Sequence, residues 1–490
     1  MAVTNELQNV DYDVVIVGAG ISGIAFAYRL QERNPDLSYC ILEARHEIGG
    51  TWSLFQYPGV RSDSDLFTFG FPWRPWKERT AIGSGANITR YLKECAAQEE
   101  IDRKIKFHHH LDQVQWSSTD KLWTLQITAG AAPKVLRTHF LLFGTGYYDY
   151  DEGLKVNIPG IKNFQGAVVH PQFWPTGLDY ANKRVVIIGS GATAITLLPA
   201  MAKSAAHVTM LQRSPSYIMS VPSEDKTETA IRWIFPERLA VKLIRFKWML
   251  TSFMLVTFCQ WFPKFARKLF ESATKAQLPP GMDLDPNFKP RYDPWEQRLC
   301  ICPGGDFYAA LRSGRASVKT GAIETVSPTS IRLRTGEELV PDIIVTATGL
   351  KLRIGGGVEF IVDDQKFNIA DHFMWNGALL EGLPNFLFAF GYVDASWTMG
   401  ADATAQLACR LLTEMKKEKV RMIVPRQSDE EKARMKDLPF FRLSSTYVEE
   451  GKTVLPRVGD RGPWRRRSYY WKDILTAWYG NIRSGLVWSR

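Results

Sequence analysis

Cysteine is scarce in this chain: six in 490 residues, scattered except for Cys300-Ile-Cys302. That excludes a disulfide framework and fits free thiols in a reducing, cytoplasmic compartment. The Cys300-Ile-Cys302 spacing is not the CxxC of disulfide reductases, and its two thiols are read as facing apart. Long apolar runs are missing as well. The longest, Trp248–Phe262, has 15 residues with Thr, Ser and Gln inside it, against the roughly 20 that a membrane-spanning helix needs. It reads as a buried or interfacial helix. Met1–Val10 is polar, so no secretory leader is expected. Histidine is rare, with 8 in the chain. Three are contiguous at His108–His110, but no second His or Cys cluster lies at ligand spacing. No metal is therefore expected, and the triplet reads as a polar strand edge. Tandem repeats and low-complexity segments are lacking.

Acidic residues are outnumbered, and the formal net charge is +10. The excess is local: Lys226–Lys275 is net +7, Gly451–Arg490 is net +7, and the remainder is net −4. A nucleic-acid groove built into the core is thereby excluded, and two basic surfaces are expected. In the first, Arg238, Lys242 and Arg245 recur at helical spacing among Leu239, Val241, Leu243, Ile244 and Phe246. Two readings stay open: a helical subdomain lining a substrate tunnel, or a helix lying on an anionic membrane. Weak peripheral membrane contact is compatible with both.

The length allows two or three domains, and glycine marks two of them. Asp13–Val17 is an apolar β-branched run, followed by Gly18-Ala-Gly20-Ile-Ser22-Gly23 and helical text to Gln31. Gly18 allows a tight turn, Gly20 lets backbone N–H groups reach a pyrophosphate, and Gly23 lets helix and strand pack closely. Glu43 follows 20 residues after Gly23, at the end of a second strand, Ser38–Ala44, where a carboxylate accepts bonds from ribose hydroxyls. The Gly49-Gly50 turn, with Thr51, Trp52 and Leu54 behind it, favours FAD over NAD. Ser22 and Leu111 are placed at the same cofactor.

Lys183–Ala194 repeats the pattern, with Gly189-Ser190-Gly191-Ala192-Thr193-Ala194 as the turn. The acid is missing from the strand that follows. Gln212, Arg213 and Ser214 stand there instead, and an Arg suits the 2′-phosphate of NADPH. Two dinucleotide folds in one chain imply hydride transfer from NADPH to flavin. The expected fold is α/β, with two Rossmann-like domains. Residues 1–150 and 346–490 form a discontinuous FAD domain with a C-terminal tail. Residues 151–345 form the NADP domain, with a helical insertion at 214–291.

Between the two turns lies FQGAVVHPQFWP, in which Phe164, Gly166, His170 and Trp174 stand at fixed spacing. This pattern resembles the fingerprint of Baeyer–Villiger monooxygenases. The GGTW, YPGVRSDSD, QRSP, PWEQRLC and GYVDASWT segments extend the likeness, and look like the mycobacterial thioamide-activating subgroup. The resemblance implies one FAD, NADPH, O2 and a C4a-peroxyflavin that attacks a ketone to give an ester or lactone. It carries with it possible sulfide or thioamide S-oxygenation. It places Arg298 as the catalytic cation, Asp63 as its acid, and Arg61 and Ser62 beside the nicotinamide. His170 is read as a coupling residue between domains, and Trp174 as packing. The family's Lys before the catalytic Arg is Gln297 here, which shifts the phosphate onto Arg213 and Ser214. Two alternatives remain: an N- or S-oxygenating flavin monooxygenase, and a catalytically silent FAD- and NADPH-binding protein. The expected substrate is a small apolar ketone or sulfide, and the expected state a monomer or small homo-oligomer.

Overall fold

The computed structural model describes residues 10–130, 132–222, 224–442, 446–467 and 469–490. The leader reading therefore falls almost entirely outside the described residues.

The chain opens with strand β1 (Tyr12–Val17), helix α1 (Ile21–Arg33) and strand β2 (Tyr39–Leu42). Val14–Val17 and all of β2 are buried, as expected for strands covered on both faces. Helix α2 (Thr51–Leu54) and strands β3 (Ile105–Lys106), β4 (His109–Ser117), β5 (Leu122–Ala129) and β6 (Ala132–Phe143) follow. The sheet is completed from far along the chain by β14 (Glu359–Val362), β15 (Gln365–Phe367) and β16 (Phe386–Phe388). Its order is β15-β14-β4-β5-β6-β1-β2-β3, with β16 also pairing β6. Strands β3, β2, β1, β6 and β16 pair in parallel, and β4, β5 and β6 are antiparallel.

A second sheet is wholly parallel, in the order β12-β9-β8-β13-β7. Its strands are β7 (Ala167–Val169), β8 (Arg184–Ile188), β9 (His207–Gln212), β12 (Ala316–Thr320) and β13 (Ile343–Thr346). Helix α3 (Ala192–Met201) follows β8 as α1 follows β1. The expected α/β architecture of two dinucleotide folds is present.

Between β9 and β12 the segment 214–291 is not helical throughout. Strand β10 (Ile218–Val221) comes first and pairs in parallel with β11 (Cys300–Pro303). Helices α4 (Lys226–Ile234), α5 (Glu237–Trp261) and α6 (Pro263–Lys275) then follow, with α6 packed on β10, and α7 (Asp306–Arg312) follows β11. Of the three expected surface cations on α5, Arg245 turns inward instead. It donates to the carbonyls of Phe67 at 2.9 Å and Gly70 at 2.6 Å. Among the described residues no helix is long and apolar enough to cross a membrane.

Helix α8 (Trp397–Glu418) packs along α1, and α9 (Tyr470–Tyr479) packs on α8. A buried ion pair, Arg29 Nε to Asp402 Oδ1 at 2.8 Å, clamps α1 to α8. Both helix N-termini consequently face the same space. All six cysteines are free and buried. Cys300 and Cys302 do not face apart, because residues two apart on a strand share a face, and both are buried on β11. Burial pushes their thiols up to about 12 and about 11, so neither is a thiolate near neutral pH.

Candidate active site

The two Gly-rich turns are built alike. The Gly18 N–H donates to Leu42 O at 2.8 Å, and the Gly189 N–H to Leu211 O at 2.8 Å. Gly18 has φ +96° and Gly189 φ +137°, and a Cβ on either would collide with the next strand end. Its neighbours would be Gly144 O at 2.9 Å and Ala347 O at 2.2 Å respectively. A Cβ on Gly23 would lie 1.8 Å from Gly18 O, so this glycine serves packing. Gly20 differs: the nearest atom to a Cβ there is Gly50 Cα at 3.6 Å, an ordinary contact. At Gly191 nothing lies within 4 Å. The middle glycine of each turn thus keeps open the approach that a pyrophosphate needs, while the first and third hold the fold. Ala194 is buried in the start of α3.

A cavity of about 570 Å³ runs from the first turn toward the second domain. Gly18, Gly20, Ser22, Glu43, Gly50, Thr51, Trp52, Leu54 and Leu111 line it, as do Arg61, Ser62, Asp63 and Arg298. The buried Glu43 carboxylate accepts from Ala19 N at 2.7 Å and Arg45 N at 2.9 Å, which fixes it at the end of β2. Thr51 Oγ1 meets the Tyr150 phenol at 3.1 Å. Ser22 Oγ accepts from Trp397 Nε1 at 2.9 Å, joining the two helix N-termini.

Asp63 and Arg298, 235 positions apart in sequence, come together in the cavity wall, with Arg298 Nη1 3.8 Å from Asp63 Oδ2. Each side chain keeps about two-fifths of its surface exposed. Arg61 is held by Asp306 at the head of α7, with a second contact of 3.3 Å. Ser62 is buried and clips Gly83 through its backbone at 2.9 Å and its hydroxyl at 3.3 Å.

The remaining sequence-predicted residues lie apart from the cavity. Ser190 Oγ donates to Ser214 O at 3.0 Å. Thr193 bonds the buried Tyr57 phenol, which burial pushes up to about 12. Arg213 is exposed at the end of β9 and, among the described residues, has no carboxylate partner. The Phe164 ring fills the space left by Gly166, where a Cβ would fall 2.6 Å from it. Trp174 packs edge-on to Tyr180. The His170 ring lies where a Cβ on Gly153 would be 2.7 Å from it, and also meets the Gly349 backbone. Gly153 and Leu350 are paired in the two strands that pass between the sheets. Burial lowers the His170 pKa.

Sequence reasoning missed much of the wall. His109 and His110 are the polar first residues of β4, as read, but they also line the cavity, which their sequence did not show. Tyr147, Tyr150, Gly355, Gly356, Tyr392 and Trp397 line it too. Only Trp397 and Tyr392, inside the GYVDASWT segment, had a signal. Among the described residues no three His, Cys, Asp or Glu side chains are grouped to hold a metal ion.

A family model described as "Pyridine nucleotide-disulphide oxidoreductase" matches residues 15–238. The FAD-containing monooxygenase EthA of Mycobacterium tuberculosis is 44% identical over 472 residues, covering 96% of each chain. Two solved structures share the fold. The OTEMO complex with FAD and NADP has a TM-score of 0.73 at 18% identity, covering 98% of this chain and 100% of that one. The ε-caprolactone-bound cyclohexanone monooxygenase has 0.74 at 18%, covering 98% and 99%. At 44% identity along almost its whole length, the chain belongs to the family of FAD-containing monooxygenases that includes EthA.

Proposed function

We propose that the chain oxidises ketones to esters or lactones: ketone, O2, NADPH and a proton give ester, NADP⁺ and water. The observation that carries this is the Asp63–Arg298 pair in the wall of a cavity headed by the first Gly-rich turn. Gly18, Gly20, Glu43, Gly50 and Thr51 would hold FAD, since the turn at Gly20 is open to the approach of a phosphate. Gly191, Thr193, Arg213 and Ser214 would hold NADPH, with Arg213 on the 2′-phosphate. The flavin, when bound and reduced, supplies activated dioxygen. The OTEMO structure, which carries FAD and NADP on the same fold, supports this pairing of cofactors.

Arg298 keeps its charge at every working pH and faces the cavity, where negative charge develops on oxygen as a carbonyl is attacked. Asp63 sets where the guanidinium sits. Trp52, Leu54, Trp397 and the tyrosines exclude water. His170, wedged against both inter-sheet strands, couples their movement to events on the second turn. The two sheets support a division at about residues 150 and 345. S-oxygenation of sulfides or thioamides is a side reaction of the same site. A small apolar substrate, a monomer or small homo-oligomer and a cytoplasmic location belong to the same reading.

The test is turnover of a cyclic ketone under ¹⁸O2. One labelled oxygen is expected in the lactone ring and the other in water. NADPH consumption without labelled lactone would refute the reading.

A further inference from the structure

Among the described residues, the exposed large apolar side chains are concentrated on the outer face of the helical group. Every exposed tryptophan among the described residues, Trp233, Trp261, Trp471 and Trp478, lies on α4, α5 or α9. On α5 the exposed Leu239, Phe246, Leu250, Phe253, Met254 and Trp261 recur as a single stripe. The stripe continues around the corner into Phe265 and Leu269 of α6, four residues apart and 63% and 52% exposed. It also continues sideways. Phe253 meets Tyr469 edge-on at 5.4 Å, and Tyr469 stacks with Trp471 at 6.1 Å. From there Leu475, Trp478 and Tyr479 run along α9. The inner face of α5 is fully used, with Ala240, Ile244, Val256 and Cys259 buried. Apolar surface of this extent on a folded chain marks an interaction site.

The charges beside it choose the partner. Arg238, Lys242, Lys264, Lys268 and Lys472 are exposed along the stripe, and among the described residues none has a carboxylate partner. A second copy seated symmetrically on this face would bring like charges together, which opposes association. An anionic lipid headgroup layer satisfies the lysines, while Trp and Tyr rings take the depth between headgroup and acyl chain. No described helix is long and apolar enough to span, so the contact lies in the interface plane.

We infer that α4–α6 and α9 form a docking face for an anionic membrane surface. The same α5 holds the wall of the cavity. Arg245 grips the Phe67 and Gly70 carbonyls, Trp248 stacks on Phe67 at 6.1 Å, and Phe69 lines the cavity. A docked face and the oxidising site therefore share one element. The inference does not depend on which group the site oxidises.

FAD-loaded protein is sedimented with vesicles of neutral phosphatidylcholine, and with vesicles containing about one-third phosphatidylglycerol. Binding to the anionic vesicles, weakened by salt, is expected. The Trp261→Ser/Phe265→Ser variant and the Lys264→Glu/Lys268→Glu variant are each expected to lose at least tenfold in partitioning. Both are expected to keep their FAD content and their rate of NADPH oxidation within twofold, which shows that they fold. Absence of binding to anionic vesicles overturns the inference. So does equal binding to both compositions that ignores the lysine changes. So does a lipid-free dimer, seen by sedimentation velocity, that the same substitutions dissolve.

Discussion

Replacing Arg298 with Ala separates a catalytic cation from a structural one. The guanidinium lies 3.8 Å from the Asp63 carboxylate, and each side chain is about two-fifths exposed. An ion pair so placed contributes under about 1 kcal/mol to stability, so Tm is expected to move by no more than about 3 °C. As the proposed catalytic cation, it would be worth more to the reaction. Losing one preorganised group aimed at developing negative charge costs about 10²–10³ in rate, or about 3–4 kcal/mol. The variant should therefore keep its fold, bind flavin and consume NADPH, with the oxygen leaving as hydrogen peroxide, while ester formation drops by that factor. Arg298→Lys should recover part of the loss, because a charge remains but the planar fork does not. The assay is ester by gas chromatography beside NADPH absorbance, peroxide and a melting curve. Ester formation within threefold of the parent would refute the reasoning. A melting temperature lower by 10 °C would also refute it, since the residue would then be structural.

Three further outcomes follow from the same geometry. Gly20→Ala should fold but lose flavin, because its Cβ meets no protein atom closer than 3.6 Å; Gly23→Ala, 1.8 Å from Gly18 O, should fail to fold. Flavin content and circular dichroism of the pair decide this, and a flavin-replete Gly20→Ala would contradict it. Arg213→Gln should raise KM for NADPH by about 10–100-fold and leave KM for NADH unchanged; equal changes for both cofactors would place Arg213 elsewhere. Glu228 is 3% exposed, accepts from Trp248 Nε1 at 2.7 Å through Oε1 while its buried Oε2 has no hydrogen-bond partner, and burial pushes it up to about 7. A carboxyl raised above its unfolded value of 4.5 stabilises the fold fully below that pH. That contribution is lost as pH rises to about 7, to a limit of about 3 kcal/mol. Glu228→Gln should remove this part of the slope in melting temperature between pH 4.5 and 7, and an unchanged slope would refute the assignment.

The parts legible in the sequence were those encoded locally. β1, the Gly18–Gly23 turn, α1 and Glu43 lie within a short stretch of chain, where β-branched runs, glycine spacing and helical text agree. The repeat at Gly189 was legible for the same reason. Asp63 and Arg298 needed the family likeness, because nothing local says that two residues 235 positions apart share a wall. Tyr147, Tyr150 and the His109–Leu111 segment were opaque for that reason, apart from Leu111. Their side chains reach the cavity through strand pairing and helix packing, neither of which leaves a periodicity. Strand β10 was hidden inside a segment read as helical: it is four residues long and finds its partner, β11, some eighty residues later. Arg245 shows the limit of a helical-spacing argument. Its spacing placed it on a basic face, but the carbonyls of Phe67 and Gly70 draw it inward. The inward carboxylate of Glu228 had no sequence signal at all.

On the proposed function, Arg298 and Asp63 make the site attack carbonyl carbon. One measurement addresses it most directly: FAD-loaded protein, NADPH and O2 with a single substrate that carries both a ketone and a thioether. Ester is expected as the main product, falling by about 10²–10³ in Arg298→Ala. Sulfoxide alone, at a rate that Arg298→Ala leaves unchanged, would contradict it and make the chain a heteroatom oxygenase.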